Sequence, residues 1–427
     1  MSISSNLTPL IANYNPNAIL TINQDKRIVS HQEFLTHVLY IAEALPNNKY
    51  ITNLCQNRYN FMVVFCATAL CSKINLLPSN NKPEVLEKVA TQFPDTIIIN
   101  DVWLRGKIEK NADIKFIPKV SASETVAIVF TSGSTGEPKP LKKTWGMLSG
   151  AAQLIQNRFK LTNTLLIPTV ASQHMYGLEA GIFLSLHGKN TLYVGNAFYA
   201  EDIALAVNVM RPGLLISTPI HLSMLSKASQ TINIENVLSA TSILSKTLCK
   251  NIEQKWTTTI NEVYGFSEAG SIATRTPSQK NEWHLLSGIT ISYSEPYEVQ
   301  AKHLPHAEAF HDKIIMSSPQ YFRLLGRSDD IIDIAGKRTS LSGLNQQVLA
   351  IEGVIDAVVF IPEGRLRLAA LVKSSLSQHQ LKLALSKVID DIFIPRPLLL
   401  VSHIERGPTG KISKASLMEQ FLNANSS

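Results

Sequence analysis

The sequence predicts a layered α/β protein, in which a large multi-sheet N-terminal domain precedes a small α+β C-terminal domain. Two patterns lead to this prediction. Short β-branched runs alternate with segments of helical apolar spacing along most of the chain, which is typical of largely parallel sheets covered by helices. Beyond about residue 322 the chain becomes polar, charged and rich in glycine, and strand-like and helical runs follow on a smaller scale.

The first predicted elements are two helices. Residues 31–45 carry apolar side chains at helical spacing and stop before Pro46, and residues 61–71 form an apolar run too short to span a bilayer, which indicates a buried core helix. The other predicted elements of the N-terminal part are strands at 96–99, 126–131, 165–168, 191–194 and 214–217 and helices at 145–158 and 200–209. Those of the C-terminal part are strands at 354–360 and 366–372 and helices at 344–351 and 381–392.

Domain boundaries follow from the change of composition. The chain has 427 residues, enough for two or three domains at about 150 residues each. We predict an N-terminal domain over residues 1–325, a hinge at 326–331 and a C-terminal domain over 332–427, which is a usual size for a small domain.

Composition excludes several classes of protein. The chain is 45% hydrophobic and 17% charged, which excludes a disordered, collagen-like or charged coiled-coil protein. Its net charge of +7 suits an anionic ligand, but no dense run of Lys or Arg predicts binding to nucleic acid. The four cysteines, Cys55, Cys66, Cys71 and Cys249, lack zinc-site spacing, so we expect reduced thiols in a cytoplasmic protein without a membrane span.

The strongest local motif is TSGSTGEPK at residues 131–139, directly after the strand-like run AIVF. Its glycines allow successive backbone N–H groups to converge on an anion, and its hydroxyls and lysine supply further donors for phosphate oxygens. Pro138 stands where a Walker loop requires its second glycine, so the motif is not of that type. The candidate phosphate-binding residues are Thr131, Ser132, Gly133, Ser134, Thr135, Gly136 and Lys139. The alternative is an ordinary Ser/Thr/Gly turn between a strand and a helix.

The second motif is YGFSE at residues 264–268, after the run TTTINEV. The carboxylate of Glu268, just past a strand end, could hold a hard divalent cation, and an aromatic ring beside it could stack on a base. The alternative is a strand-to-loop turn with a solvated glutamate. A serine-hydrolase elbow is excluded, because Ala269 stands where that motif needs glycine.

Two later segments are weak signals when each is taken alone. GRSDD at residues 326–330 is followed by GKR at 336–338, and GPTGK at 407–411 lies close to the end of the chain. A lone lysine in a glycine-rich segment, such as Lys411, is usually solvated. These segments gain meaning from their order and spacing relative to the two motifs above.

Taken together and in this order, the four segments resemble those of the adenylate-forming superfamily, which includes acyl-CoA synthetases, adenylation domains and luciferases. The likeness runs from about residue 50 to about residue 417. A narrower likeness, in QHMYGLE at 173–179 and in the early NLCQNRYNF and INLLP segments, is to the short bacterial AMP-ligases of aryl polyene-type pathways.

The resemblance implies an acid–thiol ligase. Such an enzyme converts a carboxylate and MgATP to acyl-AMP and pyrophosphate, and then passes the acyl group to the thiol of CoA or of the phosphopantetheine arm of an acyl carrier protein. The implied substrate is an aromatic or other acyl carboxylic acid, and the implied cofactors are ATP and Mg²⁺.

The resemblance also implies roles for individual residues. Thr135 and Glu268 would hold Mg²⁺, and Lys411 would be catalytic by neutralising charge at the α-phosphate. The positions that match nucleotide-binding residues, besides the loop at 131–139, are Ser239, Ala240, Thr241, Tyr264, Gly265, Ser267 and Arg327. Those near the acyl pocket are Trp145, His174, Gly177 and His221. Asp329 falls at the hinge between two closed states, and Gly336 falls on the path of the pantetheine thiol.

One departure from the family pattern leaves an alternative open. The family carries a Thr-Gly-Asp element shortly before its Gly-Arg pair, and the aspartate binds the ribose hydroxyls. The only aspartate between Glu268 and Arg327 is Asp312, which lacks the Thr-Gly and precedes a lysine. The chain could therefore be a catalytically degraded protein that binds an acyl group or a nucleotide without turnover. The histidines of this region are expected to be solvated loop residues rather than metal ligands: His303, His306 and His311.

Overall fold

β-strands make up a large part of the fold. The computed structural model describes residues 7–107, 116–132, 138–293, 295–310, 312–327, 331–334, 337–365, 367–406 and 412–425. The strands are β1 (Leu7–Pro9), β2 (Ile19–Ile22), β3 (Ile28–Ser30), β4 (Tyr50–Asn53), β5 (Ile74–Leu77), β6 (Thr96–Ile99), β7 (Lys119–Ser121), β8 (Thr125–Ser132), β9 (Pro138–Thr144), β10 (Leu165–Pro168), β11 (Thr191–Tyr193), β12 (Gly213–Ser217), β13 (Asn236–Ser239), β14 (Thr259–Phe266), β15 (Gly270–Arg275), β16 (Trp283–Leu285), β17 (Ile289–Ile291), β18 (Glu298–Ala301), β19 (Glu308–Ala309), β20 (Asp312–Ser318), β21 (Tyr321–Arg327), β22 (Ile331–Ile334), β23 (Lys337–Ser340), β24 (Val354–Phe360), β25 (Ala369–Ser374) and β26 (Leu398–Leu400).

Helices occur throughout the described residues. They are α1 (His31–Ala44), α2 (Arg58–Leu70), α3 (Pro83–Gln92), α4 (Trp145–Phe159), α5 (Met175–Gly177), α6 (Leu184–His187), α7 (Ala200–Val207), α8 (Pro219–Lys227), α9 (Lys246–Trp256), α10 (Leu341–Leu349), α11 (Gln378–Val388) and α12 (Lys414–Asn425). A π-helical segment, Leu178–Phe183, joins α5 to α6, and a 3-10 turn spans Asp391–Phe393. Within the described residues, no helix is long and apolar enough to cross a membrane.

Hydroxyl side chains fix the start of several helices. Ser30 caps α1 and Thr144 caps α4, each by accepting a hydrogen bond from the backbone N–H three residues further on. Thr218 caps α8 in the same manner, through the N–H of His221. Each cap satisfies a backbone donor that the helix itself leaves unpaired. Thr218 thereby fixes the start of the helix that carries His221.

Two sheets organise the first three quarters of the described chain. In the described residues, eleven strands form one sheet in the order β20-β21-β16-β15-β14-β13-β12-β10-β11-β2-β3. The strands from β14 to β2 in this order run parallel, and those beyond them on either side pair antiparallel. A second sheet has the order β6-β4-β5-β8-β9, with β9 antiparallel to β8. The predicted layered α/β fold with largely parallel sheets is confirmed.

Arg58 fastens the start of α2 to the central sheet. Its guanidinium donates hydrogen bonds to the carbonyl oxygens of Pro168, at 2.8 Å, and Val170, at 3.0 Å, and to the hydroxyl of Ser172, at 3.1 Å. These acceptors lie at and just after the carboxyl end of β10. The helix itself is buried along most of its length, which confirms the core helix predicted at 61–71.

The chain from residue 332 onward packs around cores of its own. Strands β24, β25 and β26 form a three-stranded sheet, and the buried apolar residues of the two cores lie between Ile332 and Phe421. Phe421 of α12 lies edge-on to Phe360 of β24, with 5.3 Å between ring centroids. The predicted small α+β C-terminal domain is confirmed, whereas the domain bounds and the hinge at 326–331 stay predictions, since residues 328–330 lie outside the described residues.

Most predicted elements match to within two residues. Strands β6, β10 and β24 have the predicted bounds, but β25 begins at Ala369, three residues later than predicted, and α2, α10 and α11 each begin three residues earlier. Helix α11 also ends four residues earlier than predicted, at Val388. A turn precedes the start of β25, and in this turn the N–H of Arg365 donates to the carbonyl oxygen of Pro362 at 3.1 Å. All four cysteines are free; Cys71 is half-buried and the other three are buried.

Candidate active site

Four neighbouring parallel strands end at one edge of the central sheet, and a predicted site segment follows each of them. β10, β12, β13 and β14 are paired in this order, and Ser217, Ser239 and Glu262 stand side by side in register. The segments that follow are His174 and Gly177 after β10, His221 after β12, Ser239–Thr241 at the end of β13 and Tyr264–Glu268 at the end of β14. Open α/β sheets bind their ligands at the carboxyl ends of the strands. The fold therefore brings these segments together where a ligand is expected.

Tyr264 lies in an aromatic cluster beside this edge. Its ring is stacked on Phe310, with 5.7 Å between centroids, and is tilted against Trp283 at 5.4 Å. Its hydroxyl donates a hydrogen bond to the carboxylate of Asp312, the first residue of β20. In the β20–β21 hairpin Asp312 stands opposite Arg327. A tyrosine and a carboxylate are thus in contact, and an arginine occupies the backbone position paired with that carboxylate.

Buried charges hold the loop that follows β13. Glu262 accepts the N–H of Leu244 at 2.5 Å through one carboxylate oxygen and the Nε–H of Arg275 at 2.6 Å through the other. Burial raises the pKa of Glu262, and the positive charge of Arg275 opposes that shift. The segment from Ser239 to Leu244 is therefore tied to β14. It contains Thr241 with a φ of 81°, a backbone conformation that costs a β-branched residue about 1–3 kcal/mol and that clusters at functional sites.

The turn between β14 and β15 presents Glu268. The side chains of Glu268 and Ser267 are half-buried, and the main-chain carbonyl of Glu268 accepts a hydrogen bond from Nζ of Lys143 at 2.7 Å. Gly265 has no space for a side chain, because a Cβ there would lie 2.2 Å from the carbonyl oxygen of Gly270. A half-buried carboxylate on a turn held in this way fits a divalent cation, which prefers oxygen ligands.

The predicted phosphate loop connects β8 to β9. Thr131 pairs with Lys139 across these two strands, and the side chain of Lys139 is exposed. Residues 133–137 lie outside the described residues, and so do the side chains of Thr131 and Ser132. The predicted phosphate contacts of these residues therefore stay predictions: Thr131, Ser132, Gly133, Ser134, Thr135 and Gly136.

Three predicted acyl-pocket residues follow β10 and β12. The ring of His221 stacks on Phe198 at 4.7 Å, and its Nε2–H donates to the carbonyl oxygen of that residue at 2.6 Å. Burial lowers the pKa of His221, although the hydrogen bond to Phe198 opposes the shift. Gly177 has no room for a side chain, because a Cβ would lie 2.1 Å from the carbonyl oxygen of Ala171. His174, half-buried, directly precedes α5.

Trp145, the fourth predicted acyl-pocket residue, lies in the core. It is the first residue of α4 and is fully buried. Its ring packs against Phe183 at 4.9 Å and against His187 at 5.6 Å. The cap at Thr144 starts the helix at this point. These contacts are those of a packing residue, and the assignment of Trp145 to the acyl pocket stays a prediction.

Other predicted residues lie outside the described part of the chain. These are Asp329, Gly336 and Lys411, and Arg327 is described through its backbone only. In the region before the β20–β21 hairpin, His303 is half-buried, and Nε2 of His306 lies 3.0 Å from a carboxylate oxygen of Glu308. Within the described ranges, no three His, Cys, Asp or Glu side chains are grouped so that they could hold a metal ion.

Two charged residues of this site belong to none of the four motifs. One feature of the sequence could have identified Asp312. Strand-like runs on either side of Pro319 predict a hairpin, and such a hairpin pairs Asp312 with the region of Arg327. Lys143 has no such feature. It lies in the run PKPLKKT, where nothing distinguishes the buried Lys143 from its exposed neighbour Lys142.

Comparison with known proteins identifies relatives of this chain. The family model for the AMP-binding enzyme matches residues 63–309. A 3,4-dihydroxybenzoate–[aryl-carrier protein] ligase of Bacillus anthracis is 23% identical over 333 residues, which cover 72% of this chain and 77% of the ligase. A 4-coumarate–CoA ligase of Halorhodospira halophila is 27% identical over 246 residues, which cover 56% of this chain and 60% of that ligase.

A solved structure shares the fold along nearly the whole chain. ATP-bound MatB from Rhodopseudomonas palustris matches with a TM-score of 0.81 over 95% of this chain and 96% of MatB, at 15% identity. That likeness shows a common fold. The family match adds more, because residues 63–309 are over half of the chain and include the phosphate-loop motif, Ser239–Thr241 and Tyr264–Glu268. The chain belongs to the AMP-binding enzyme family.

Proposed function

We propose that this protein activates a carboxylic acid with ATP and passes the acyl group to a thiol. In the first step a carboxylate oxygen attacks the α-phosphorus of ATP, the bond to the β-phosphate oxygen breaks, and acyl-AMP and pyrophosphate form. In the second step a thiol sulfur attacks the acyl carbonyl, AMP leaves, and a thioester forms with loss of the thiol proton. The first step is needed because oxide is a poor leaving group and AMP a good one, and the enzyme contributes orientation and charge neutralisation.

The observation that carries this proposal is the edge at which β10, β12, β13 and β14 end. Four segments that the family likeness assigns to nucleotide and acid lie side by side there, on strands paired in register. Family membership and the two curated ligases support the same reaction class. An acid–thiol ligase uses each of these segments.

The nucleotide would lie across the ends of β13 and β14. Ser239–Thr241 and Tyr264 would flank the adenine, and Arg327 would donate hydrogen bonds to the ribose or the α-phosphate. Asp312 would accept from the ribose hydroxyls, since its contact with Tyr264 already holds the carboxylate at this edge. The chain would thus supply a ribose carboxylate without a Thr-Gly before it, which answers the main reason for regarding it as degraded.

The phosphates would lie against the loop between β8 and β9. Residues 131–136 and Lys139 would surround the β- and γ-phosphates, as the family likeness implies. Glu268 and Thr135 would hold Mg²⁺. A half-buried carboxylate on a fixed turn, as in Glu268, suits a ligand of a divalent cation. When bound, Mg²⁺ neutralises charge that builds on the leaving pyrophosphate.

The acid would enter beside His174, Gly177 and His221. The small domain, over residues 332–427, would bring Lys411 to the α-phosphate for the first step. It would then turn about a hinge at 326–331, near Asp329, and present the Gly336 segment to the pantetheine thiol. These assignments rest on the family likeness of the matching residues.

The acceptor would be CoA or the phosphopantetheine of an acyl carrier protein. Both supply the same thiol, and the two curated relatives are named for one acceptor each. Aromatic acids are the first class to test, since both of those relatives are named for aromatic acids. Four free cysteines favour the cytoplasm, where thiols stay reduced.

The test is acid-dependent exchange of pyrophosphate into ATP, over a panel of aromatic and fatty acids. We expect exchange with at least one acid in Mg²⁺ and none in EDTA. Binding of acid or nucleotide without exchange, from folded protein and across the whole panel, would instead identify a degraded protein of this family. Mass spectrometry of acyl-AMP separates the two outcomes.

A further inference from the structure

A lysine lies buried beneath the turn that presents Glu268. Lys143 is the penultimate residue of β9 and exposes 1% of its surface. Its Nζ donates to the main-chain carbonyl oxygen of Glu268 at 2.7 Å, across 125 residues of sequence. Burial lowers the pKa of Lys143, and the negative charges of Glu179, Glu268 and Glu308 oppose that shift. Burying an ammonium costs desolvation free energy unless it is paired and hydrogen-bonded, so the burial of Lys143 calls for a structural explanation.

Glu179 holds the other end of the same turn. It is buried in the π-helical segment, and its Oε2 accepts from the N–H of Ser271 at 3.2 Å and from the hydroxyl of Ser271 at 2.8 Å. Gly270 packs directly against it, because a Cβ there would lie 2.5 Å from Oε1 of Glu179. Two buried groups of opposite charge therefore hold the turn, Lys143 at residue 268 and Glu179 at residue 271.

The strand that carries Lys143 is the one that leaves the phosphate loop. Lys139 and Lys143 lie four residues apart on β9, a span of about 13 Å in an extended strand. The hydrogen bond from Lys143 to Glu268 thus joins the two parts of the site that must act on the same nucleotide: the strand after the phosphate loop and the turn with the cation-binding carboxylate.

We propose that Lys143 is a positioning residue that keeps the Glu268 carboxylate in a fixed relation to the phosphate loop, so that both meet MgATP at once. In this role Lys143 does not touch the nucleotide. Its ammonium donates a hydrogen bond to the main-chain carbonyl of Glu268 and compensates the negative charge of Glu179. The carboxylate of Glu268 is thereby left available to the cation. The inference rests on the proposed function, in which Glu268 holds Mg²⁺.

Three variants separate positioning from packing. Lys143→Met keeps the unbranched stem and removes the donor to Glu268. Lys143→Met combined with Glu179→Gln removes both buried charges, so that no unpaired charge is left to unfold the protein. Lys142→Met is the matched control, because Lys142 is the exposed neighbour on the same strand.

The readout is the effect of Mg²⁺ on nucleotide binding, measured by titration calorimetry with a non-hydrolysable ATP analogue in Mg²⁺ and in EDTA. In the wild type, Mg²⁺ should lower the Kd for the analogue. We expect this decrease in Kd to be about 10- to 100-fold smaller in both Lys143 variants, the usual loss when a residue that orients a metal ligand is removed. The Kd in EDTA should stay that of the wild type, and Lys142→Met should match the wild type in both conditions. In pyrophosphate exchange, the Mg²⁺ concentration for half-maximal rate should rise while the KM for the acid stays constant.

The double variant decides the matter if the single variant fails to fold. If it has the wild-type Tm and the wild-type effect of Mg²⁺ on analogue binding, Lys143 is a packing residue and the proposal is wrong. A wild-type protein in which Mg²⁺ has no effect on analogue binding would also overturn it. A wild-type protein that binds the analogue with Mg²⁺ but exchanges no pyrophosphate would contradict the proposed function and leave the Lys143 comparison valid.

Discussion

The phenol hydroxyl of Tyr264 donates a hydrogen bond to the carboxylate of Asp312, 48 residues further along the chain. The contact joins the end of β14 to the start of β20, and β20 places Asp312 opposite Arg327. In the function that we propose, these three residues would form one side of the nucleotide site. The β20–β21 hairpin gives Asp312 this position, although the aspartate lacks the Thr-Gly of the family pattern.

Replacing Asp312 with Asn should weaken the use of ATP. The substitution keeps the size of the side chain and removes the charge that we assign to the ribose hydroxyls. A hydrogen bond to a charged group is worth about 1.5–3 kcal/mol, so the KM for ATP in pyrophosphate exchange should rise about 10- to 100-fold. The KM for the acid should not change.

Tyr264→Phe provides the companion measurement. It keeps the ring that packs on Phe310 and removes only the hydroxyl that holds Asp312. Because the charge of Asp312 itself is kept, the KM for ATP should rise less than in Asp312→Asn, by about 2- to 10-fold. An unchanged KM for ATP in Asp312→Asn would show that this carboxylate plays no part in binding the nucleotide.

Local patterns in the sequence predict the parallel core of the fold well. Residues 165–168 and 96–99 are short β-branched or apolar runs with clear ends, and the structure has strands with those bounds. The site segments that follow such strands could be placed on one edge, because parallel strands present their carboxyl ends together. Glu268 was expected just past a strand end, and it lies two residues beyond β14.

Contacts between distant segments could not be predicted in this way. The family likeness assigns Trp145 to the acyl pocket, but which side chains an indole at a helix start packs against, here Phe183 and His187, cannot be read from its position in the sequence. The burial of Lys143 depends on Glu268 and Glu179, which are remote in sequence. The spacing of apolar residues in a single sequence predicts whether a segment is a helix or a strand. It does not predict which distant residues that segment will contact.

Gly265→Ala tests whether the Glu268 turn depends on close backbone packing. The added Cβ would lie 2.2 Å from the carbonyl oxygen of Gly270, so the turn must move. We expect the free energy of unfolding in urea to fall by about 1–3 kcal/mol and the KM for ATP to rise. Gly181→Ala is the matched control, since its Cβ would meet nothing nearer than Pro168 at 3.5 Å. Equal effects of the two variants would contradict this account of the turn.

The two half-reactions should respond differently to changes in the small domain. Lys411→Ala should slow acyl-AMP formation by at least about 10²-fold, the scale for loss of one transition-state donor, and should spare thioester formation from supplied acyl-AMP. Gly336→Leu should do the reverse by blocking the thiol. The measurement is pyrophosphate exchange beside transfer from synthetic acyl-AMP. If Lys411→Ala loses both half-reactions equally while circular dichroism shows that the small domain is still folded, then Lys411 does not have the role assigned to it.

His187 should make the protein sensitive to mild acid. Its ring is buried, lies 5° from parallel to Phe183 at 5.8 Å between centroids, and neither ring nitrogen has a hydrogen-bond partner among the described residues. Burial lowers the pKa of His187 from 6.5 to about 4. The unfolded chain therefore binds a proton between those two pH values when the folded chain does not. The stabilising contribution of the neutral ring is fully present above pH 6.5 and is lost as the pH falls toward 4.

His187→Leu should remove this part of the pH dependence, because leucine fills the apolar site and does not titrate. For a shift of this size, the loss of unfolding free energy between pH 7.5 and pH 5 should be smaller in the variant than in the wild type by about 2 kcal/mol. Urea denaturation at the two pH values measures it. His379→Leu, at an exposed histidine of α11, should retain the wild-type dependence. If His187→Leu and the wild type lose the same free energy, then the ring is protonated in the folded protein at pH 5, and the packing of His187 against Phe183 must admit water or an acceptor.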